Sequence, residues 1–515
     1  MAGPVASDGR PSLVVLPFED IGVEGEQAAF AAGLTDDLTA DLSKVSELFV
    51  IAPETSRSAA KSDSSVQQIA QAMGVEYALK GTVQRSGGTF RITAQLVRAA
   101  TGQSIWAERY DRQASDFINV QDEVVQKIAA SLKIELSERE RRTITRVPTR
   151  NLEAHDFYLR AEYQNAGLTE PASYRRSIAA YKRAIELDPG FAEAYAGYAR
   201  LVATIWRRDF NEIMSSAVAR QEAYAAAGKA IELDPENARA NEVLSIIQAV
   251  EGEHQIAIDS AKRAVELQPG EAEAHTNLAT VLYIAGDLEK AAAEVKLARQ
   301  LNPALSTDLR LVSATVAFAQ GRYAKAIVEF NAIQELVPRS DLVLEHLAAA
   351  YACLGETNRS QEIVAELMKV IPIANLGFYA VLRDNIGTPE QTARLIERLR
   401  LAGLPEWPFG DRRRTEDRLG PDELRTVSAG PVWTGTLQNG VDFVQYFDRS
   451  GGFAYRSTTS LLTGHIGIQG DKLCQIINGY LLNHPTCGYV YRNASAGGRH
   501  LAILAFQSAW PCSTS

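Results

Sequence analysis

AIELDP at 184–189, AIELDP at 230–235 and AVELQP at 264–269 are three copies of one phrase. ARQLNP, IQELVP and LMKVIP follow as looser copies, ending at Pro303, Pro338 and Pro372. The six prolines from Pro189 to Pro372 stand 46, 34, 34, 35 and 34 residues apart. A near-constant period of this length means one supersecondary unit stacked on itself. Such a stack offers a long surface suited to binding rather than a pocket suited to chemistry.

Counting each ladder proline as position 32 of the unit tests the period against packing. Position 15, where the chain turns between two helices, is Gly252, Gly286, Gly321 and Gly355 in the last four copies. Position 20 is Ala223, Ala257, Ala291 and Ala326, with Ser177 and Ser360 in the first and last copies. Position 27 is Ala184, Ala230, Ala264 and Ala298, then Ile333 and Leu367. Small residues at 20 and 27 let the second helix approach the first, and proline ends the second. This pattern resembles the tetratricopeptide repeat. The resemblance implies an all-α solenoid of about six repeats over residues 154–404, with a groove for a protein or peptide partner. The first two repeats are irregular: the 46-residue gap adds about 12 residues around 200–216. NLEAHDFYLRA (151–161) reads as an entry helix, and EQTARLIERLRLAGLP (390–405) as an end cap.

In this family, positions 2, 5, 9 and 12 of the first helix usually face the concave side. They make Arg239, Glu242, Glu273, Thr276, Thr280, Tyr283, Asp308, Thr315, Phe318 and Glu345 the candidate groove. The lysine and asparagine with which some repeats grip a terminal carboxylate do not occur at these positions. The lining is mixed and mildly acidic, which suits a basic-hydrophobic segment, extended or helical. The alternative is that this face packs on the neighbouring domains. The residues leave both open.

Upstream, SLVVLPF (12–18) and LFVIAP (48–53) are continuous apolar runs, as expected of buried strands. Between them, Phe30, Leu34, Leu38, Leu42 and Val45 form one helical stripe. Asp36, Asp37 and Asp41 fall away from it and read as a solvated acidic face. VQQIAQAMG (66–74) reads as a helix with a glycine cap. Phe90, Ile92, Ala94 and Leu96 alternate with polar residues, as in a half-buried strand between turns at Ser86-Gly87-Gly88 and Thr101-Gly102. A long amphipathic helix is expected over about 115–140. Together these predict a compact α/β domain over 12–140, after a disordered 1–11 and before a basic linker at 141–153.

The blocks VLPF, FAAGLTDDL, LFVIAPETS, GVEYALKGTVQRSGGTFRITAQLV, TGQSIWAERYD and FINVQDEVV occur in order. They resemble the TolB N-terminal-like domain. That resemblance implies a domain found before tetratricopeptide repeats in bacterial proteins, notably rhizobial-type class III adenylate cyclases and some transcriptional regulators. In those, a catalytic or DNA-binding domain, and often a membrane helix, lies upstream. This chain begins just before VLPF, so the cyclase residues have no positions here to be carried onto.

After a polar linker at 405–430, glycine, threonine and aromatic residues rise. Residues 431–515 predict a small antiparallel β-sheet or barrel. Cys474 and Cys487 are spaced for a hairpin-closing disulfide, which needs an oxidising compartment. Two reduced, buried thiols are the other reading. GDKLC followed by a second cysteine also resembles small β domains at the ends of some proteins of the same cyclase family.

The net charge of −10 excludes a general nucleic-acid binder. No apolar run approaches the roughly 20 residues of a membrane helix. The start MAGPVASDGRPS lacks a signal core, which places the chain in the cytoplasm, or outside it if the true start lies upstream. Two arginine clusters, Arg139/Arg141/Arg142/Arg146/Arg150 and Arg412/Arg413/Arg414/Arg418, read as solvated linker charge, with a partner contact as the alternative. There is no CxxC or phosphate-cradling glycine motif, and His465, His484 and His500 lack ligand-like spacing. Ser460 with these histidines makes no nucleophile–base motif. No cofactor, metal site or catalytic residue is therefore assigned. The sequence points to a non-enzymatic interaction and regulatory scaffold. The alternative is the sensory or regulatory region of an adenylate cyclase-like protein, working with a cyclase or membrane signalling partner.

Overall fold

The computed structural model describes the chain except for residues 1–8, 22–27, 61–64, 87–88, 114–115, 145, 166–170, 208–212, 339, 372–373, 384–386, 407–418, 429–431, 437–441, 448–451, 458–460, 471, 478–485, 493–500 and 507–515. Pro372, the 412–418 arginines, Ser460, His484, His500 and Cys512 lie outside the described residues. The chain divides into two compact units, Met1–Tyr283 with Asp287–Val312, and Ile284–Gly286 with Ser313–Ser515.

The first unit opens with a mixed sheet. Its elements are β1 (Ser12–Val15), β2 (Glu19–Asp20), α1 (Ala28–Ser43), β3 (Phe49–Ile51), α2 (Pro53–Ala60), α3 (Val66–Met73), β4 (Tyr77–Ser86), β5 (Thr89–Arg98) and β6 (Ser104–Gln113). The strand order is β3-β1-β4-β5-β6, with β2 also on β4. β1 runs parallel to β3 and β4, and β4, β5 and β6 run antiparallel. Every residue of β1 and β3 is buried, as their unbroken apolar runs require. β5 alternates, with Phe90, Ile92, Ala94 and Leu96 inward. Leu34, Leu38, Leu42 and Val45 join those residues in one core.

The helix expected over 115–140 is two helices, α4 (Phe117–Ser131) and α5 (Glu138–Ile144). Lys133 adopts a left-handed φ of 59°, which ends α4. The break turns Ile134 and Ile144 back into the sheet core.

Four helix pairs follow: α6 (Leu152–Asn165) and α7 (Pro171–Leu187), α8 (Ala192–Arg207) and α9 (Ser216–Leu233), α10 (Ala238–Val250) and α11 (His254–Leu267), α12 (Ala272–Ile284) and α13 (Leu288–Leu301). The irregular gap is a lengthened α8 followed by residues 208–212. Two further pairs are α14 (Thr307–Ala319) with α15 (Tyr323–Leu336) and α16 (Asp341–Cys353) with α17 (Thr357–Val370). The shorter α18 (Leu376–Leu382) and α19 (Pro389–Leu401) end the helical array. Gly252, Gly286, Gly321 and Gly355 all take φ between 77° and 87°, which a side chain would strain. The alanines and serines at positions 20 and 27 and Leu367 are fully buried, and Ile333 is nearly so.

The second unit ends in α20 (Pro421–Ser428) and seven strands: β7 (Val432–Thr436), β8 (Asp442–Phe447), β9 (Gly452–Ser457), β10 (Leu461–Gln469), β11 (Lys472–Ile477), β12 (Thr486–Arg492) and β13 (Leu501–Phe506). They form an antiparallel meander in sequence order. Leu419 and Leu424 cover Leu473 and Val490 of this sheet.

Candidate partner-binding seam

Within the first unit, the ladder ends hold the α/β domain. Thr149 donates to Asp188, the residue before Pro189. Arg146 pairs with Asp234, before Pro235, and donates to the Leu233 carbonyl. Arg139 approaches Glu236 at 3.5 Å. The first arginine cluster is thus committed inside the chain at Arg139 and Arg146, not left as solvated linker charge. At the third rung, the Gly270 amide donates to the Ser43 carbonyl at 3.0 Å. A Cβ at Gly270 would stand 2.9 Å from that oxygen, so the position admits nothing larger without a shift. At the fourth rung, the Ala52 amide donates to the Leu301 carbonyl at 2.8 Å, and Thr55 donates to Asn302 at 2.8 Å. Ala272 and Leu301 join the apolar cluster of Val14, Phe49, Ile51 and Ala78.

Helix α1 is consequently buried on two sides. Leu34, Leu38 and Leu42 face the sheet, while Thr35, Thr39 and Ser43 are also buried. These three hydroxyls donate to carbonyls one turn back, at Ala31, Thr35 and Thr39, which satisfies them without water. Gly33 lies against Leu159 of α6, where a Cβ would be 2.6 Å from the leucine. The solvated acidic face expected here is corrected. Asp37 accepts from Gln121 and lies 3.9 Å from His155. Burial, with Asp41, Asp36 and Glu162 nearby, pushes Asp37 up to about 7. Burial likewise pushes His155 down to about 4. Asp36 pairs with Arg57 at 2.5 Å.

Where α1 and α2 meet the repeats, a charged seam runs along the first unit. Glu162 of α6 is its hub: it bonds Arg239 at 2.7 Å, Arg200 at 3.2 Å and the Tyr181 hydroxyl at 2.6 Å. Burial would raise its pKa, but the two guanidinium groups and the tyrosine hold it below the ordinary value. Arg200 reaches on to Glu273 at 2.6 Å. Asp36 is close enough to feel Glu162 and Arg239, and Glu54 to feel Glu273. Six carboxylates, Asp36, Glu54, Glu162, Glu242, Glu271 and Glu273, thus meet three guanidinium groups, Arg57, Arg200 and Arg239. Among the described residues Glu242 and Glu271 form no ion pair. Burial, then the neighbouring Glu273, pushes Glu242 up to about 7. Burial, then Glu273, Glu54 and Glu242, pushes Glu271 up to about 8. The seam stays open to solvent at Glu273, whose side chain is 52 % exposed, and at Glu54, 46 % exposed.

The candidate groove residues divide. Arg239, Glu242 and Glu273 come together in the seam. Thr276 and Thr280 donate to their own helix at Ala272 and Thr276, and Thr276 is buried. Tyr283 is half-buried and Asp308 is exposed. In the second unit Thr315, Phe318 and Glu345 are buried. Phe318 packs edge-on to His346 at 4.9 Å beneath Arg398. Glu345 accepts from Arg383 at 2.7 Å and is fully buried. These three line packed interior rather than an open face. Glu162, Arg200 and Glu271 were not among the candidates. Glu162 stands at position 5 of the copy that ends at Pro189, a signal that counting back from that proline gives; the 46-residue gap hides the register of Arg200.

In the C-terminal sheet, β11 and β12 set Cys474 directly opposite Cys487. His465 is exposed on β10.

Comparison with known proteins gives four findings. Residues 220–272 and 251–306 match the tetratricopeptide repeat, in agreement with the helix pairs found there. Residues 9–128 match the second domain of HilA/YgeH-like transcriptional regulators, rather than the TolB-like domain named from sequence blocks. A Rhizobium meliloti (strain 1021) protein named "Putative adenylate cyclase 3" is 35% identical over 204 residues, 39% of this chain. The chain spans about a third of that relative's length, 34%. Solved structures of repeat proteins align with parts of the chain. YrrB, "a TPR protein with an unusual peptide-binding site", is 22% identical with a TM-score of 0.27, over 37% of this chain and 92% of its own. A thermophilic repeat protein of Thermus thermophilus is 19% identical with a TM-score of 0.30, over 38% and 98%. No helix among the described residues is long and apolar enough to cross a membrane.

Proposed function

We propose that this protein is a regulatory scaffold that captures a cationic, partly apolar segment of another protein along the seam. The observation that carries this is the imbalance of charge: Glu242 and Glu271 form no ion pair among the described residues, Arg200 and Arg239 offset the burial of Glu242 only in part, and Arg57, Arg200 and Arg239 are already paired with other carboxylates. A lysine or arginine delivered there would supply the missing countercharge. Binding would pull both glutamates back toward the ordinary carboxylate range and release protons. Affinity for a lysine-rich peptide, measured by fluorescence anisotropy, is expected to rise between pH 6 and pH 9. Glu242→Gln with Glu271→Gln is expected to weaken it roughly tenfold and to flatten the pH dependence. Equal affinity in the double variant, or no binding at low salt, would overturn the seam as the site.

A second reading is favoured by the rhizobial relative and by the HilA/YgeH-like match: one name is that of a cyclase, the other that of transcriptional regulators. In it, the α/β domain and repeats are the regulatory region of a signalling protein whose output domain is not among these residues. The TolB-like resemblance fits the same role. Cyclic-nucleotide formation by the purified chain alone would contradict both readings. We also propose that Cys474 bonds Cys487, which would favour an oxidising compartment; peptide mapping under non-reducing conditions decides it.

A further inference from the structure

Strand β6 is the open edge of the N-terminal sheet. It pairs with β5 on one side only, among the described residues. Edge strands are ordinarily blunted by shortness, proline, a bulge or charged side chains, because their free amides and carbonyls recruit another strand; charges blunt an edge unless the incoming strand matches them. β6 is ten residues long and contains neither proline nor lysine. Its one register irregularity, at Leu96/Val97 of β5, lies toward its start, so 107–113 is regular. Glu108, Arg109, Asp111 and Arg112 are all exposed.

The order of charge along this edge is self-complementary. Around Tyr110 it reads Glu108, Arg109, then Asp111, Arg112. Reversing the strand about Tyr110 puts Arg109 opposite Asp111 and Glu108 opposite Arg112. A two-fold axis normal to a sheet requires a residue to meet one of the same face, and this register satisfies that rule at every pair. Centring one residue earlier, on Arg109, would set Arg109 on itself; centring on Glu108 would set two carboxylates together. On the outer face, Asp111 already accepts from Arg91 at 2.6 Å and Arg109 at 2.7 Å. A second copy would extend that row with its own Arg109. On the inner face, Glu108 holds the Tyr110 hydroxyl at 3.1 Å and would gain the second copy's Arg112.

We infer that β6 is a self-association edge, pairing antiparallel with β6 of a second copy about Tyr110 to make one continuous sheet. The proposal is tested by sedimentation of the full chain over a concentration series. Wild type is expected to dimerise, more weakly as salt rises. Glu108→Arg alone sets the introduced guanidinium against Arg112 of the second copy, and Arg112→Glu alone sets two carboxylates together. Each is expected to weaken the dimer roughly tenfold or more. An equimolar mixture of the two variants replaces those like-charge pairs by opposite ones and is expected to form a heterodimer. That mixing result also guards against variants that merely misfold. A wild type that stays monomeric throughout the series, or a mixture that associates no better than either variant, would overturn the proposal.

Discussion

The fourth and fifth rungs of the proline ladder share a backbone and differ in use. Leu301 and Asn302, just before Pro303, are 4 % and 3 % exposed and clasp Ala52 and Thr55. Leu336 and Val337, just before Pro338, are 64 % and 44 % exposed. One column of the repeat separates them. The residue before the proline is Asp188, Asp234, Gln268 and Asn302 in the first four rungs, then Val337 and Ile371. A polar residue there can bond a docked domain; a β-branched apolar one cannot. The helices of the repeat are set by glycine, alanine and proline, which leaves this column free to specialise.

Substitutions can break that contrast. Gly270→Val places side-chain atoms against the Ser43 carbonyl and is expected to cost about 2–3 kcal/mol by denaturant unfolding. A loss below ~0.5 kcal/mol would mean that the third rung is not a close contact. pH comes next. Asp37, Asp122 and Glu242 stand at about 7 and Glu271 at about 8, all above the ordinary carboxylate range. Burial is the first cause in each. Raised carboxylates stabilise while protonated, so their contribution is complete below the ordinary range and is lost as pH rises through 7–8. The Tm is expected to be higher at pH 6 than at pH 8.5, and Asp37→Asn is expected to reduce that difference. Thr55→Val removes the hydroxyl bond to Asn302 and is expected to cost about 1–2 kcal/mol. Val337→Asn, the matching change on the fifth rung, should stay within about 0.5 kcal/mol.

The repeats were legible because their constraints are local and recur: a left-handed glycine, two small positions and a proline at fixed offsets. The strands of the α/β domain were legible for the same reason, in unbroken or alternating apolar runs. What escaped was set by contact between elements distant in sequence. Asp36 and Asp37 lie off the apolar stripe of α1, and only the approach of α6 and α4 buries Asp37. Lys133 carries no turn chemistry, yet burial of Ile134 forces the break there. The seam joins Glu162 to Arg239, 77 residues apart; both stand at groove positions of their copies, but the period does not say which of these residues meet. Thr315, Phe318 and Glu345 had the right repeat positions for a groove, but their helix faces are filled by Tyr323, His346, Arg383 and Arg398.

Native-state hydrogen exchange at the amides of Ala52 and Gly270 tests the docked arrangement most directly, since each reports one side of it. Both are expected to be protected to a similar free energy and to lose protection together in Thr55→Val. Exchange of either at the rate of an open loop would contradict the claim that the α/β domain is docked on the repeats of the first unit.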